Sequence, residues 1–397
     1  MAVKLNIRNP SSWPRRGYVA IPWQPIARRL DLASPHLDLR GPTGTSLAAQ
    51  IDVVDPADRE RDTLVILLDR EVPPGSDDYS QVVAQVEIKG GPPAAAGLAP
   101  QTAPAIGPEH PPADPPRGFK LANGKLEIWF NLLADTGDPS RNWFAGCATS
   151  VVVENGEMLD AFRQALFGWK GHDPEKRCLQ IDRIRLPLCA WDERPHRDEL
   201  MFNRPYTLLS QSAGPVRTSA AIASAPFSYR YRDPVTDKDH DLECRLHRII
   251  SVYRDSDYLM EELSVRGMPV TGGPGARPVK LRFAARYFAQ MDMGLQPQLT
   301  RFWQVPDWFS VSCGWPPLQG YGFATDMHTT EFNNPPGDYY AADPGRRCRA
   351  FSWELGAGST VNCLHLFKHG GHEELSRHAG HAWYEHIYKP LRAELAI

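Results

Sequence analysis

The stretch from Arg301 to Tyr340 holds the densest mixture of residues suited to chemistry. Trp303, Trp308, Trp315, Tyr321, Tyr339 and Tyr340 sit among prolines and glycines, with Asp326, His328, Glu331 and Asn333 interleaved. Aromatic faces stack on the apolar C–H faces of a polyhydroxylated ring, and carboxylate, amide and imidazole groups bind its hydroxyls, so this pattern is that of a sugar site. The alternative is an ordinary aromatic core beneath long loops. A second cluster runs from Trp191 to Tyr206 and contains His196, Asn203, Arg204 and Tyr206. Abstracting a proton beside a carboxylate takes a base and a cationic or amide group to hold the developing charge. His196 and Tyr206 are the candidate bases, with His328 in reserve, and Asn203, Arg204 and Arg141 the candidate carboxylate holders. A solvated charged loop is the competing interpretation. Hydrolysis of a glycosidic bond asks instead for two carboxylates at a controlled separation. Asp326 and Glu331 lie close in sequence, and Glu261-Glu262 is a second option.

Metal chemistry has weaker signals. His378, His381 and Glu385 fall at helical spacings that place each pair on one face, next to His365, His369, His372, Glu373, Glu374 and His386. HExxH is absent and His372-Glu373-Glu374 lacks a second histidine at the required offset, which favours a polar helix surface. Asp135, Asp138 and Asp338 lie in turns that could hold calcium, without a calcium-loop signature. The sequence therefore calls for no metal and no cofactor. Neither a phosphate-cradling glycine loop nor a GxSxG elbow is present, which disfavours nucleotide and α/β-hydrolase chemistry.

These residues need a scaffold, and the stretch Gly214–Arg266 supplies its centre. Ser228–Arg232, Leu242–Tyr253 and Tyr258–Val265 alternate bulky with charged residues, the period of strands with two different faces. Asp233–Asp239 and Arg254–Asp257 carry the Asp, Pro and Ser of hairpin turns. A large antiparallel sheet follows, with the ligand expected on or beside it. Upstream, residues 1–90 contain six short strand patterns: Leu5–Arg8, Tyr18–Ile21, Leu37–Leu39, Ser46–Val54, Thr63–Leu68 and Ser80–Ile88, which suit a small barrel. Residues 91–117 are rich in proline and alanine and form a semi-stiff linker. Residues 118–397 form the second unit, a β-sandwich. Asn123-Gly124 marks a hairpin there, Glu157–Trp169 has the spacing of a short helix, and Ile181–Leu186, Val279–Arg286, Ala350–Leu355 and Thr360–Phe367 read as further strands. His372–Leu395 is the closing helix, interrupted or kinked at Pro390.

Composition narrows the class. The 397 residues carry 37 prolines and 31 glycines, which means many turns, few long helices and a mainly β protein. A net charge of −3 argues against a nucleic-acid partner. No apolar run approaches the roughly 20 residues that span a bilayer, and the first residues lack a leader's apolar core. A cytoplasmic protein is expected from the chain as it stands, unless a leader was removed. The seven cysteines are widely spaced without a CxxC pair and read as buried thiols. An exposed edge strand is a candidate for pairing two copies in a homo-oligomer.

Asn9-Pro10…Trp13-Pro14-Arg15-Arg16-Gly17-Tyr18-Val19…Ile21-Pro22-Trp23 resembles the opening of the RIFT barrel that precedes a galactose-mutarotase-like sandwich in bacterial exo-acting rhamnogalacturonan lyases and their relatives. Gly214-Pro215-Val216-Arg217 and the run Arg248–Glu262 look like the supersandwich pattern of carbohydrate-active enzymes. The likeness spans the larger part of the chain by pattern rather than identity, without the C-terminal α/α-toroid of those lyases. It implies a small N-terminal barrel, a supersandwich and a carbohydrate substrate, and as the leading activity cleavage beside a uronic acid by β-elimination. It transfers no individual catalytic residue. A glycoside hydrolase or sugar epimerase using paired carboxylates is the alternative, and a non-catalytic glycan-binding protein, with Trp303, Trp308, Trp315 and Tyr339 as platform, is the third reading.

Overall fold

The computed structural model describes residues 2–30, 37–41, 44–75, 84–90, 118–133, 146, 148–153, 156–157, 180–185, 198–200, 205–232, 238–267, 280–290, 301–305, 308–313, 319–325, 331–333, 346–369 and 372–396. It is a mainly β protein built from antiparallel sheets, with a helix near its C-terminus. In the first unit, six strands occupy the segments whose alternation marks them. Ala2–Arg8, Ala84–Gly90 and Leu37–Arg40 lie in one sheet, and Tyr18–Pro22, Thr63–Leu67 and Ala49–Asp52 in another. Between them lies a core that includes Leu5, Ile7, Leu64, Ile66 and Ile88, all fully buried. A short helix, Gln24–Leu30, was not expected; it adds Ile26 and Leu30 to that core from the one apolar side of an otherwise basic turn.

The largest sheet runs, among the described residues, in the order Tyr206–Ala213, Arg217–Ser224, Asp239–Tyr253, Tyr258–Arg266, Thr360–His369, Gln319–Thr325, Trp308–Cys313 and Arg301–Val305, with Phe227–Arg232 paired to the long Asp239–Tyr253 strand. Ile250 pairs with Glu261, Glu261 with Cys363, and Cys363 with Thr325, so these four share one face. Leu246, Val252, Leu259, Leu263 and Val361 stand on the same face and are buried. The opposite face carries Tyr253, Tyr258, Met260, Leu364 and Leu366. Such double burial explains why apolar residues occupy both phases of these strands. Two further sheets among the described residues belong to the sandwich region. One contains the Gly118–Ala122 and Leu126–Asn131 hairpin, and the other centres on Lys280–Gln290 and Arg346–Gly356.

The helix His372–Trp383 lies on the second face, where Leu375, Ala379 and Ala382 meet Ala324, Leu364 and Leu366. It ends earlier than its apolar spacing suggests. A π-turn, Tyr384–Tyr388, follows, and Pro390 prevents any helical continuation. Residues Arg392–Leu395 are then a strand, paired with Ala2–Arg8 in the register Leu5 to Leu395 and Ile7 to Ala393. Leu391 and Leu395 continue the spacing of four, yet they belong to the core of the first unit. The C-terminus thus closes the N-terminal sheet.

Candidate functional site

A cavity of about 380 Å³ lies at the seam where the N-terminal sheets, the large sheet and the C-terminal turn meet. Three elements meet there. The first unit contributes Arg15 and Tyr18, the second face of the large sheet contributes Met260 and Asn362, and the C-terminal turn contributes Glu385 and His386. Arg392 and Glu394 of the closing strand line it as well.

Two sets of buried polar contacts hold the seam in register. Arg15, 4% exposed, donates to the carbonyls of Lys389 and Glu385, at 2.5 Å each. These carbonyls lie at the end of the π-turn, where intrahelical donors run out. On the other side, Arg217 Nε lies 2.5 Å from Asp52 Oδ2, and Gln50 Oε1 accepts the backbone N–H groups of Val216 and Arg217 at 2.9 Å. Burial works against the Arg217 charge, but the Tyr253 and Asp52 side chains outweigh it and raise its pKa. Arg217 Nη1 also donates to the Tyr253 hydroxyl at 2.6 Å. Tyr253 stacks on Tyr18 with centroids 3.4 Å apart, and Tyr18 in turn lies parallel to His386 at 5.6 Å.

Glu385 and His386 stand side by side on the cavity. Glu385 Oε1 is approached by Trp13 Nε1 at 3.2 Å, Arg15 Nε at 3.2 Å and His381 Nε2 at 3.4 Å. The Arg15 Nε contact is a close ion pair without hydrogen-bond alignment, which leaves that N–H unsatisfied. Glu385 Oε2 has no partner among the described residues. His386 places Nδ1 3.5 Å from the Tyr18 hydroxyl, and its Nε2 has no partner among them either. Burial first, then the charge of Arg15 and the neighbouring His381 and His378, pull the His386 pKa down to about 3, with Asp257 opposing. The imidazole is therefore neutral near pH 7. Burial likewise raises the Tyr18 and Tyr258 hydroxyls well above their ordinary value. The cavity consequently offers a neutral imidazole and an open carboxylate oxygen beside a wall of Tyr18, Met260 and Leu391.

The residues singled out from the sequence are distributed differently. Tyr206 lies at one end of the large sheet, 5% exposed, with the Arg248 guanidinium 5.6 Å above its ring. Arg248 donates to Glu261 Oε1 and to the Gly146 carbonyl, and Glu261 Oε2 lies 3.2 Å from His365 Nε2. Burial opposes the Glu261 charge, but Arg248 and His365 prevail and hold its carboxyl at about 2. Glu261, weighed from the sequence as half of a carboxylate pair with Glu262, is thus engaged through both oxygens; Glu262 pairs separately with Arg61 at 3.3 Å. Gly146, at φ +74°, makes room for this network, since a Cβ there would lie 2.5 Å from Arg248 Nη1 and 2.7 Å from the Tyr206 ring.

Trp303 and Trp308 stand on the two strands at the opposite end of that sheet from Tyr206, and Glu331 on an edge strand of a different sheet, paired with Ser352. Arg141, His196, Asn203, Arg204, Trp315, Asp326, His328 and Tyr339 lie outside the described residues, as do Asp135, Asp138, Asp338, the 91–117 linker and most of the Glu157–Trp169 helix. Among the described residues no group of three or more His, Cys, Asp or Glu side chains gathers as a metal centre would require. The described residues of the seam site were visible in sequence only in other guises. Arg15 and Tyr18 belong to the motif of the first unit, and Glu385 and His386 to the polar histidine-rich tail. The four-residue spacing of His381 and Glu385 is the one local signal that bears on the site.

No family model matches the chain, and no curated protein matches it. Solved structures similar to it include a protein in the glycosyl hydrolase family 38 from Enterococcus faecalis, with TM-score 0.48 and 10% identity over 100% of this chain and 47% of that one. An α-mannosidase from Enterococcus faecalis V583 gives TM-score 0.47 and 10% identity over 100% of this chain and 46% of its own. The galactosidase domain of α-galactosidase-sucrose kinase, AgaSK, gives TM-score 0.28 and 11% identity over 68% of this chain and 42% of its own. This chain spans less than half the length of each of the three.

Proposed function

We propose that the protein acts on carbohydrate, with the seam cavity receiving one neutral sugar ring, and that bond cleavage there is hydrolytic rather than eliminative. The observation that carries this reading is that Glu385 and His386, adjacent in the chain, both line one cavity with an apolar wall, while Glu385 Oε2 and His386 Nε2 have no hydrogen-bond partner among the described residues. A sugar hydroxyl donates and accepts at once, and an acceptor beside an imidazole nitrogen satisfies both roles while the C–H face meets the wall. The volume supports the same scale of ligand, since small-molecule pockets begin at about 300 Å³.

The ionic groups favour hydrolysis. Elimination beside a uronate needs a base with a pKa near the working pH and a cation for the carboxylate. His386 is held at about 3 and Tyr18 is raised, so neither is poised for that task. Arg15 is committed to Glu385 and to the Lys389 carbonyl. Two carboxyl groups line the cavity, Glu385 and Glu394, the latter paired with Arg8 at 3.0 Å, and glycoside hydrolysis draws on a pair of carboxyl groups. The test is a panel of neutral aryl glycosides and oligosaccharides, followed by aglycone release and by new reducing ends, with ultraviolet absorbance of an unsaturated product recorded in parallel. The reading expects release without unsaturation, lost in Glu385→Gln under conditions where circular dichroism shows the variant folded, since the change also removes the carboxylate that faces the buried Arg15. Unsaturated product from a uronate-containing glycan would reverse the assignment to a lyase. Saturable binding of a neutral sugar without turnover would retain the cavity and remove the catalysis.

A further inference from the structure

The turn that carries Glu385 and His386 also builds a stack of aromatic rings outside the cavity. Tyr384–Tyr388 is a π-turn, closed by the Lys389 N–H donating to the Tyr384 carbonyl at 2.8 Å. Its i to i+5 bonding brings residues five apart within one turn, whereas an α-helix would aim them about 140° apart. Trp383 and Tyr388, five apart, accordingly stack with centroids 5.0 Å apart and ring planes at 16°. Trp383 packs against the core beneath the C-terminal helix, so Tyr388 is the outer ring, 51% exposed. Tyr384 lies 5.7 Å from Tyr388 and stacks on Trp13 at 4.6 Å, which stacks in turn on His381 at 5.7 Å. Trp13 Nε1 donates to Glu385 Oε1 at 3.2 Å, so the ring stack and the seam cavity meet at Glu385. One short turn thus serves both, with Glu385, His386 and Ile387 on the cavity and Tyr384 and Tyr388 in the stack.

We propose that the outer face of Tyr388 is a second sugar subsite, taking the neighbouring ring of a neutral oligosaccharide whose first ring occupies the seam cavity. The subsite rests on the carbohydrate reading above and extends it from one ring to a chain. An aromatic face already held flat by Trp383 meets the C–H face of a hexose with little side-chain ordering left to lose. The rim is polar: the Tyr384 and Tyr388 hydroxyls have no hydrogen-bond partner among the described residues, and Lys389 Nζ lies 5.9 Å from the Tyr384 ring centre. These groups suit the hydroxyls that surround a sugar's apolar face. The patch is also too small for a protein partner. Tyr388 is the exposed large apolar side chain among the described residues, and one half-exposed ring falls far short of the roughly 1,000 Å² that a stable protein interface buries.

The experiment is calorimetric titration of the full chain with methyl glucoside, galactoside and mannoside and with the di- and trisaccharides of the same hexoses, repeated in Tyr388→Ala and Tyr388→Phe after circular dichroism has shown each variant folded. An oligosaccharide should bind more tightly than its methyl hexoside. Tyr388→Ala should weaken the oligosaccharide roughly 3- to 10-fold, the worth of one aromatic contact, and leave the methyl hexoside unchanged, while Tyr388→Phe keeps the ring and the gain. Oligosaccharides that bind no more tightly than the methyl hexoside, or a Tyr388→Ala variant that weakens both alike or neither, would overturn the subsite and leave the cavity reading standing. Oligosaccharide binding lost in Tyr388→Ala but unchanged in His386→Gln would keep Tyr388 as a sugar platform and overturn the cavity reading. Silence from every sugar would overturn both. Self-association on size-exclusion chromatography that disappears in Tyr388→Ala would overturn the subsite in favour of a contact between copies.

Discussion

Replacing Asp52 by alanine tests whether the two units are locked by the buried ion pair at their seam. Asp52 is 2% exposed and Arg217 9%. The carboxylate accepts from Arg217 Nε at 2.5 Å, from Gln50 Nε2 at 2.6 Å and from Ser219 Oγ at 3.2 Å. Alanine leaves the Arg217 guanidinium buried with Tyr253 as its remaining side-chain partner among the described residues, and an uncompensated buried charge of this kind costs about 3–5 kcal/mol. That is a large part of the roughly 5–15 kcal/mol that holds a protein folded. For a chain of this size the urea slope is about 3 kcal/mol per molar or more, so the midpoint should fall by roughly 1 M. The assay is equilibrium urea unfolding followed by tryptophan fluorescence and circular dichroism. The paired change Asp52→Leu with Arg217→Met should recover most of the loss, because a packed apolar pair of similar volume is often neutral relative to a buried salt bridge. A fall worth less than about 1 kcal/mol, the value of an exposed pair, would refute the locking role.

Acid should destabilise the protein in a defined window. His386 and His247 titrate at about 3 and about 4 in the folded chain, against an ordinary 6.5. The unfolded chain therefore binds more protons between these values, and stability present above pH 6.5 is lost as the pH falls through 4 and 3. Glu261, held at about 2 against an ordinary 4.5, adds a loss below pH 4.5, so thermal midpoints should decline steadily from pH 7 to pH 3; a flat profile would contradict the burial of these groups. Gly267, at φ +85°, has a position where an added Cβ would meet the Glu243 carbonyl oxygen. Gly267→Ala should lower stability by about 1–3 kcal/mol in urea unfolding. Ending the chain at Lys389 removes the strand that pairs with Ala2–Arg8 and five residues of the cavity wall. Size-exclusion chromatography should show self-association through the bared edge, and sugar binding should be lost.

Where residues repeat with a strong local period, their structure was legible in advance. The alternation in Leu242–Tyr253 and Tyr258–Val265 placed both strands of the central hairpin to within a few residues, and the six patterns of the first unit all became strands. The tail shows where periodicity misleads. Leu391 and Leu395 extend a helical spacing, but Pro390 stops the helix and the N-terminal sheet offers an unpaired edge, so tertiary pairing decides. The site was the least legible part, because its members are far apart in sequence and none carries a local motif. Arg15 and Tyr18 come together with Met260, Asn362, Glu385 and His386 only once the C-terminus folds back. Tyr206 illustrates the converse. Its neighbourhood of charged and aromatic residues suggested a base, but the pairing of its strand sets the ring against Arg248 and Gly146 in a buried network.

The most direct test of the seam site is a nuclear magnetic resonance titration of the intact protein with neutral methyl hexosides, alongside the corresponding methyl uronosides. Saturable shifts confined to Arg15, Met260, Asn362, Glu385 and His386, with hexosides binding more tightly than uronosides, are the result expected from a cavity that offers an open carboxylate and a neutral imidazole. Shifts that map elsewhere on the sheets, or a preference for the uronosides, would contradict it.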